Sequence, residues 1–359
     1  ILPWFYNSKS INSQINIRRI LLYCLQQRIP YRTLTMKKAY FLFCLILASL
    51  CPFFLTGCQR NAAETTKTGF YLNTVVSITL YDRSGEDPLF DEAMSLIGEY
   101  DSLLSKTAEG SDIYRINHAD GSPVEVDART AELLSIALSY ASLSDGLVDP
   151  TIGTLSDLWS FGDTNEGIVP SRENIEEALS HIDYTKVKLS GNTVTLLDPK
   201  ARLDLGFIAK GYIADKLKEF LTKNGVENGI INLGGNVLTI GTKPDGSDYH
   251  IGVQKPFAET GTALTTLTVR DRSLVSSGNY ERYFEKDGIL YHHILSTRDG
   301  YPVNSGLNGV TIISENSVDG DALCTLCFIL GYEKGRKLID SLPDTEAVFI
   351  SDAGELITG

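Results

Sequence analysis

Residues 36–58 divide this chain before any folding argument begins. Met36 is followed by the basic pair Lys37 and Lys38, a 17-residue apolar run over 39–55, and the ending Leu55-Thr56-Gly57-Cys58. Charged region, apolar region and small-residue cleavage site in that order form a secretory signal, and Leu-x-Gly-Cys is the form cut just before a lipidated cysteine. A membrane-spanning helix needs about 20 apolar residues, whereas this run contains Pro52 and stops at the Gly-Cys pair. The expectation is a lipoprotein signal peptide over 36–57, a lipid on the Cys58 sulfur, and a protein anchored at the outer, extracytoplasmic face of the cell membrane. The other methionine, Met94, lies inside a stretch of helical periodicity, so translation is expected to start at Met36. Residues 1–35, with Lys9, Arg18, Arg19, Arg28 and Arg32 but no acidic residue, then read as over-extended translation.

What remains after residue 57 must do the folding. It keeps 25 Lys and Arg against 45 Asp and Glu, a net charge of −20, because the excluded part holds seven basic residues and no acidic one. So acidic a body disfavours nucleic acid and anionic lipid surfaces as partners. Apart from Cys58, the cysteines left are Cys324 and Cys327, which implies no disulfide framework. Residues 58–67 are short, polar and non-periodic and suit a lipidated tether. The domain is expected over 68–359.

Within it, Val76, Ile78 and Leu80 alternate in a strand over 72–81, and apolar residues from Leu89 to Leu104 recur at helical spacing. Helices are expected over 130–143 and 172–181, and a hairpin joins 186–189 to 193–197 around Ser190-Gly191-Asn192. A long helix follows Asp204. From residue 230 short β-rich segments succeed one another between glycine turns, and helices return over 320–330 and 333–342. Strands and helices mix without strict alternation, which makes the class α+β, with mixed sheets and flanking helices.

Four groups could carry chemistry. Asp204 and Gly206 sit where a short strand turns into a helix whose first turns hold Lys210. Free N–H groups and the positive helix end attract phosphate there, although Asp204 could equally cap the helix and leave Lys210 solvated. Asp321 and Thr325, four apart on one helix face, offer hard oxygen donors suited to Mg²⁺, or else a cap and a core threonine. His293 ends a strand-like stretch and precedes a turn, a setting for a general base as well as for a structural histidine. Cys324 and Cys327 form a C-x-x-C within an apolar helix, which favours two buried thiols over a redox pair. Trp159 and Phe161, after the acidic turn at 145–149, read as core aromatics.

These pieces occur in one order: Ser111-Asp-Ile-Tyr-Arg-Ile-Asn117, the 145–162 stretch, Asp204-Leu-Gly-x-x-Ala-Lys-Gly211, Ile231-Asn-Leu-Gly-Gly-Asn236, Ser276-Ser-Gly-Asn-Tyr-Glu-Arg282, His293-Ile and Asp321-Ala-Leu-x-Thr325. That order resembles the ApbE family of FAD:protein FMN transferases over nearly all of 68–359. The resemblance implies a T-fold-like domain that binds FAD and Mg²⁺ and transfers FMN to a threonine hydroxyl of an exported acceptor protein, releasing AMP. It also leaves open an FAD pyrophosphatase giving FMN and AMP, or a flavin-binding lipoprotein without chemistry. By position it implies that Asp321, Thr325 and the Phe207 carbonyl ligate magnesium. It implies likewise that Leu147, Val148, Asp149, Asp204 and Lys210 contact FAD and that His293 activates the attacking hydroxyl. The sequence departs from the family pattern at Thr107, where many members carry an aromatic, and at Ser296-Thr297 and Asp299-Gly300, where many have Asp-Pro and Thr-Gly.

Overall fold

The computed structural model describes residues 64–81, 83–162 and 167–357. Residues 1–35, the signal over 36–57, and Cys58 with the first part of its tether lie outside the described residues. The strand expected over 72–81 is β2 (Thr74–Tyr81), and it is preceded by β1 (Glu64–Tyr71), an antiparallel partner along its whole length. The two-residue turn between them, Leu72-Asn73, has φ of 55° at both positions, as a tight hairpin of this twist demands. The expected tether thus ends earlier than 67: residues 64–67 are paired strand. Its alternation of exposed and half-buried residues, with Thr66 bonded to Thr79 at 2.8 Å, is too polar to be read as a strand from sequence.

Helices α1 (Pro88–Leu104), α2 (Asp112–Asn117) and α3 (Ala128–Leu143) follow, capped by Asp87, Ser111 and Asp127, whose side chains accept backbone N–H bonds in the first turn. Two-residue β3 (Val124–Glu125) lies between the last two. Next come α4 (Gly153–Trp159), α5 (Arg172–Leu179) and the expected hairpin, β4 (Val187–Ser190) with β5 (Thr193–Leu196). The long helix is α6 (Ala209–Lys223). The β-rich half contains β6 (Gly229–Leu233), β7 (Asn236–Ile240), β8 (Tyr249–Gln254), β9 (Ala263–Val269), β10 (Ser273–Gly278), β11 (Tyr283–Lys286), β12 (Ile289–His292) and β13 (Leu307–Ser314). The chain closes with α7 (Ser317–Ile339), β14 (Glu346–Ser351) and β15 (Leu356–Ile357). The two helices expected over 320–330 and 333–342 are merged in α7, broken at Gly331, whose φ of 75° and ψ of 176° are not helical. That conformation suits glycine, which has no Cβ to clash.

The α+β class holds. Eight strands form one sheet in the order β1-β2-β6-β7-β10-β13-β14-β15, with smaller sheets β3-β5-β4, β8-β9 and β11-β12. The ladders are antiparallel, and among the described residues parallel pairing is confined to the isolated bridge Ile152–Arg202. One face of the large sheet packs Ile78, Ile231 and Leu238 against α1, α3 and α6. Farther along, Val275, Val310 and Ile312 meet Cys324, Cys327 and Phe328 of α7. The β8–β9 hairpin covers part of the opposite face through Tyr249 and Val269. The two thiols are free and buried: the Cys324 thiol donates to the Val310 carbonyl at 3.0 Å, and burial pushes Cys327 up to about 12. They are core groups, as expected. Among the described residues no helix is long and apolar enough to cross a membrane.

Candidate active site

Helices α6 and α7 hold each other's ends. No side chain caps the start of α6 from its own strand of chain, but the Asp321 carboxylate of α7 accepts the Gly211 N–H at 2.8 Å. In return, Asp215 of α6 accepts from Ser317 N at 2.7 Å and Val318 N at 2.8 Å, the opening residues of α7. Burial raises the Asp215 carboxyl to about 6 in spite of those bonds. The helices approach this closely because residue 211 is glycine: a Cβ there would stand 2.2 Å from the Ser317 carbonyl oxygen. Asp321 is therefore the fifth residue of α7 and caps α6 across the interface; it does not cap its own helix.

Beside this crossing lies a cavity of about 1290 Å³. Its lining brings together the residues that the resemblance assigns to FAD, metal and proton transfer: Leu147, Val148 and Asp149; Asp204, Phe207 and Lys210; and His293, Asp321 and Thr325. Asp321 is 3% exposed and takes part in no ion pair among the described residues. Burial raises its carboxyl, while Lys210 and backbone N–H groups work the other way. Asp204 does not cap α6 either. It accepts from Gly206 N at 2.9 Å within its own turn, from Ser156 Oγ at 2.7 Å and from Lys106 Nζ at 2.8 Å.

Lys106 is a charged cavity residue that sequence reasoning missed. Its ammonium also bonds Asp157 at 2.7 Å and Ser156 at 2.8 Å, tying the segment after α1 to α4 and to the turn before α6. Burial works to raise the Asp204 carboxyl, but Lys106, with the Ser156 hydroxyl and the Gly206 N–H, outweighs it and the carboxyl lies below its ordinary range. Burial likewise opposes the Lys106 charge, and the two carboxylates more than offset it, so that pKa is raised. A lone lysine in a polar loop carries no periodic signal; only its neighbour Thr107 was marked from sequence.

The Asp149 carboxylate faces its own loop. One oxygen accepts from Thr151 N at 2.8 Å and Thr151 Oγ1 at 2.7 Å, the other from Tyr184 N at 3.0 Å. Both oxygens are thus engaged, and residues 147–149 meet the cavity through a braced loop. The 296–300 segment braces it further, since Thr297 Oγ1 donates to Gly146 O at 2.7 Å and Arg298 to Asp145 O at 2.6 Å. Trp159 is buried and donates to Gly300 O at 2.8 Å, while Phe161 stacks on it at 5.7 Å. His292 is buried, with Nε2 bonded to Val303 O at 3.0 Å, and is structural. His293 is held by its backbone N–H to Arg282 O at 3.1 Å; its Nδ1 is buried without a partner among the described residues. Burial, then Arg282, His292 and Lys210, push its imidazole down to about 3, so it is neutral at working pH.

The model of the ApbE family matches residues 72–349. The chain belongs to the ApbE family. It is 38% identical over 289 residues to an FAD:protein FMN transferase of Klebsiella pneumoniae, covering 80% of this chain and 89% of that protein. It is 32% identical to the FAD:protein FMN transferase of Treponema pallidum, covering 85% and 89%. Among solved structures, the ApbE protein of Thermotoga maritima superposes with a TM-score of 0.75 at 32% identity, covering 83% of this chain and 97% of that one. The flavin transferase ApbE of Vibrio cholerae gives 0.73 at 25% identity, covering 83% and 96%.

Magnesium fits this ApbE cavity by a specific feature. Among the described residues no three His, Cys, Asp or Glu side chains converge as they would around a fully protein-ligated metal. A buried carboxylate that forms no ion pair among the described residues, with a threonine one turn on and Phe207 in the same lining, offers few oxygens, and Mg²⁺ is the ion that completes so sparse a set with water and substrate phosphates.

Proposed function

We propose that this enzyme is an FAD:protein FMN transferase that takes FAD as substrate and, with Mg²⁺, passes its FMN half to a threonine hydroxyl of an exported acceptor protein, releasing AMP. The observation that carries the reading is the buried Asp321 carboxylate, which forms no ion pair among the described residues and shares a cavity with Lys210 and His293. Phosphoryl transfer needs positioning and charge neutralisation more than covalent chemistry from the protein. Asp321, Thr325 and the Phe207 carbonyl would hold the Mg²⁺, which when bound supplies positive charge against the diphosphate oxygens. Lys210, second in α6, adds a cation and the helix start adds N–H groups. The threonine oxygen forms a bond to the FMN phosphorus, the bond from that phosphorus to AMP breaks, and the hydroxyl proton passes to the His293 imidazole. FAD, by neutralising Lys210 and Arg282, relieves two of the charges that hold His293 low. The same proposal anchors the enzyme by a lipid on Cys58 at the outer face of the membrane, beside exported acceptors; the order of residues 36–58 supports it.

Incubated with FAD, Mg²⁺ and a threonine-bearing exported FMN-binding domain, the purified protein is expected to release AMP while the domain gains the mass of FMN on threonine. Equal AMP release without the domain would make it an FAD pyrophosphatase, and intact bound FAD a binding lipoprotein. Because His293 is already neutral in the free enzyme, kcat/KM for FAD should stay level as pH falls through 6.5, the ordinary histidine value. A midpoint there would show that the cavity does not hold the His293 imidazole low.

Lys106→Met should raise KM for FAD about tenfold, because Asp204 is left as an uncompensated carboxylate in a cavity that must admit a diphosphate. The defect should shrink on acidification, since burial of Asp204, no longer opposed by Lys106, favours its protonation. A KM equal to the parent's at pH 8 would show that Asp204 needs no compensation.

A further inference from the structure

Three aromatic rings at the cavity mouth belong to none of the apolar clusters that hold the fold together: Phe257, Tyr280 and Tyr283. Phe257 meets Tyr283 edge-on at 5.3 Å and Tyr280 at 6.1 Å. Phe257 and Tyr283 nonetheless remain 48% and 44% exposed, which is wasteful for side chains whose only task is packing. Phe257 also has φ of 57°, a left-handed conformation unfavourable for a bulky residue and kept only where the surroundings enforce it.

Here the enforcement is visible. The Gln254 amide donates to the carbonyls of Lys255 at 3.0 Å and Glu259 at 3.1 Å and accepts from Gly261 N at 2.8 Å. Lys255 N bonds Thr262 O at 2.8 Å across the base of the loop. The loop between β8 and β9 is thus built around one side chain and holds a phenyl ring out over the cavity.

We infer that Phe257, Tyr280 and Tyr283 seat the isoalloxazine ring of FAD; the inference rests on the transferase reading above. The choice between the two rings of FAD follows from the direction of the reaction. In an in-line displacement the attacking hydroxyl approaches opposite the leaving AMP. The group that takes its proton therefore stands on the side away from adenine. His293 is strapped by its N–H to the carbonyl of Arg282, immediately before Tyr283 and two residues after Tyr280. The proton acceptor is thus tied to the backbone segment that carries two rings of the aromatic wall, and the flavin is the ring attached to the phosphorus under attack.

The test measures binding of FAD, FMN and ADP separately, with Mg²⁺ present, to the unaltered protein and to Phe257→Ala, Tyr283→Ala and Phe257→Tyr. Loss of one stacking face should weaken FAD and FMN about tenfold in the two alanine variants and leave ADP within about twofold; Phe257→Tyr should bind all three as the parent does. Retained ADP affinity also certifies that the variants are folded. Weakened ADP binding, unchanged FMN binding, or a rise in KM for the acceptor protein alone would each overturn the assignment. Failure of the unaltered protein to bind FAD would instead strike the transferase reading itself.

Discussion

Asp321→Asn is expected to leave a folded protein whose magnesium-dependent AMP release has fallen about a thousandfold, the scale of losing one preorganised electrostatic contact at a reacting centre. The amide keeps a carbonyl oxygen for the Gly211 N–H, so the 2.8 Å bond that closes the start of α6 survives. What disappears is the charge, and with it the hard anionic donor for Mg²⁺. The substitution also separates two roles that alanine would confound. Burial raises the Asp321 carboxyl, which means that ionising it works against the folded state, and a neutral isostere removes that cost. Thermal unfolding should therefore occur at the parent's temperature or above it while turnover collapses, the pattern of a site residue held at the expense of stability. Raising the Mg²⁺ concentration should recover part of the rate. Parental activity at ordinary Mg²⁺ would remove Asp321 from the metal site, and a fall in melting temperature would make it chiefly a helix cap.

How far the sequence carried this picture depended on whether a residue's partner was near it in the chain. The turn into α6, the β4–β5 hairpin and the buried pair Cys324 and Cys327 were legible because periodicity and turn chemistry are local. Residues 147–149, 204–210, 293 and 321–325 were legible as a group because their motifs keep one order, and the cavity does collect them. Sequence did not say how each is held. Asp149 lines the cavity, and its carboxylate is engaged by Thr151 and by Tyr184, the latter 35 residues away. Lys106 was invisible because its partners, Asp157 and Asp204, lie about fifty and a hundred residues downstream. β1 was hidden by its polar outer face. Asp215, a fully ordinary residue of an amphipathic helix by pattern, caps a helix that begins 102 residues later.

Gly211 makes that long-range dependence measurable. Gly211→Ala would place a methyl group 2.2 Å from Ser317 O and 2.7 Å from both the Ser317 carbonyl carbon and Val318 Cα. All three are backbone atoms, so no side chain can swing aside and the opening of α7 must move away from α6. That movement breaks the Asp215 bonds to Ser317 N and Val318 N together with the Asp321 bond to Gly211 N. Overpacking of this kind costs about 1–3 kcal/mol, and the lost caps add about 1 kcal/mol each. The consequence for function is larger than for a distant destabilising change, because the displaced turn is the one that aims Asp321 and Thr325 at the cavity. Gly211→Ala is expected to lower the midpoint of denaturant unfolding and, among molecules still folded, to raise the Mg²⁺ concentration needed for half-maximal AMP release about tenfold. Measuring both in the same preparation decides the matter. A destabilised variant with a parental Mg²⁺ requirement would mean that the α6–α7 contact supports the fold without aiming the metal ligands. A variant unchanged in both would mean that the helices do not approach as closely as the Gly211–Ser317 contact implies.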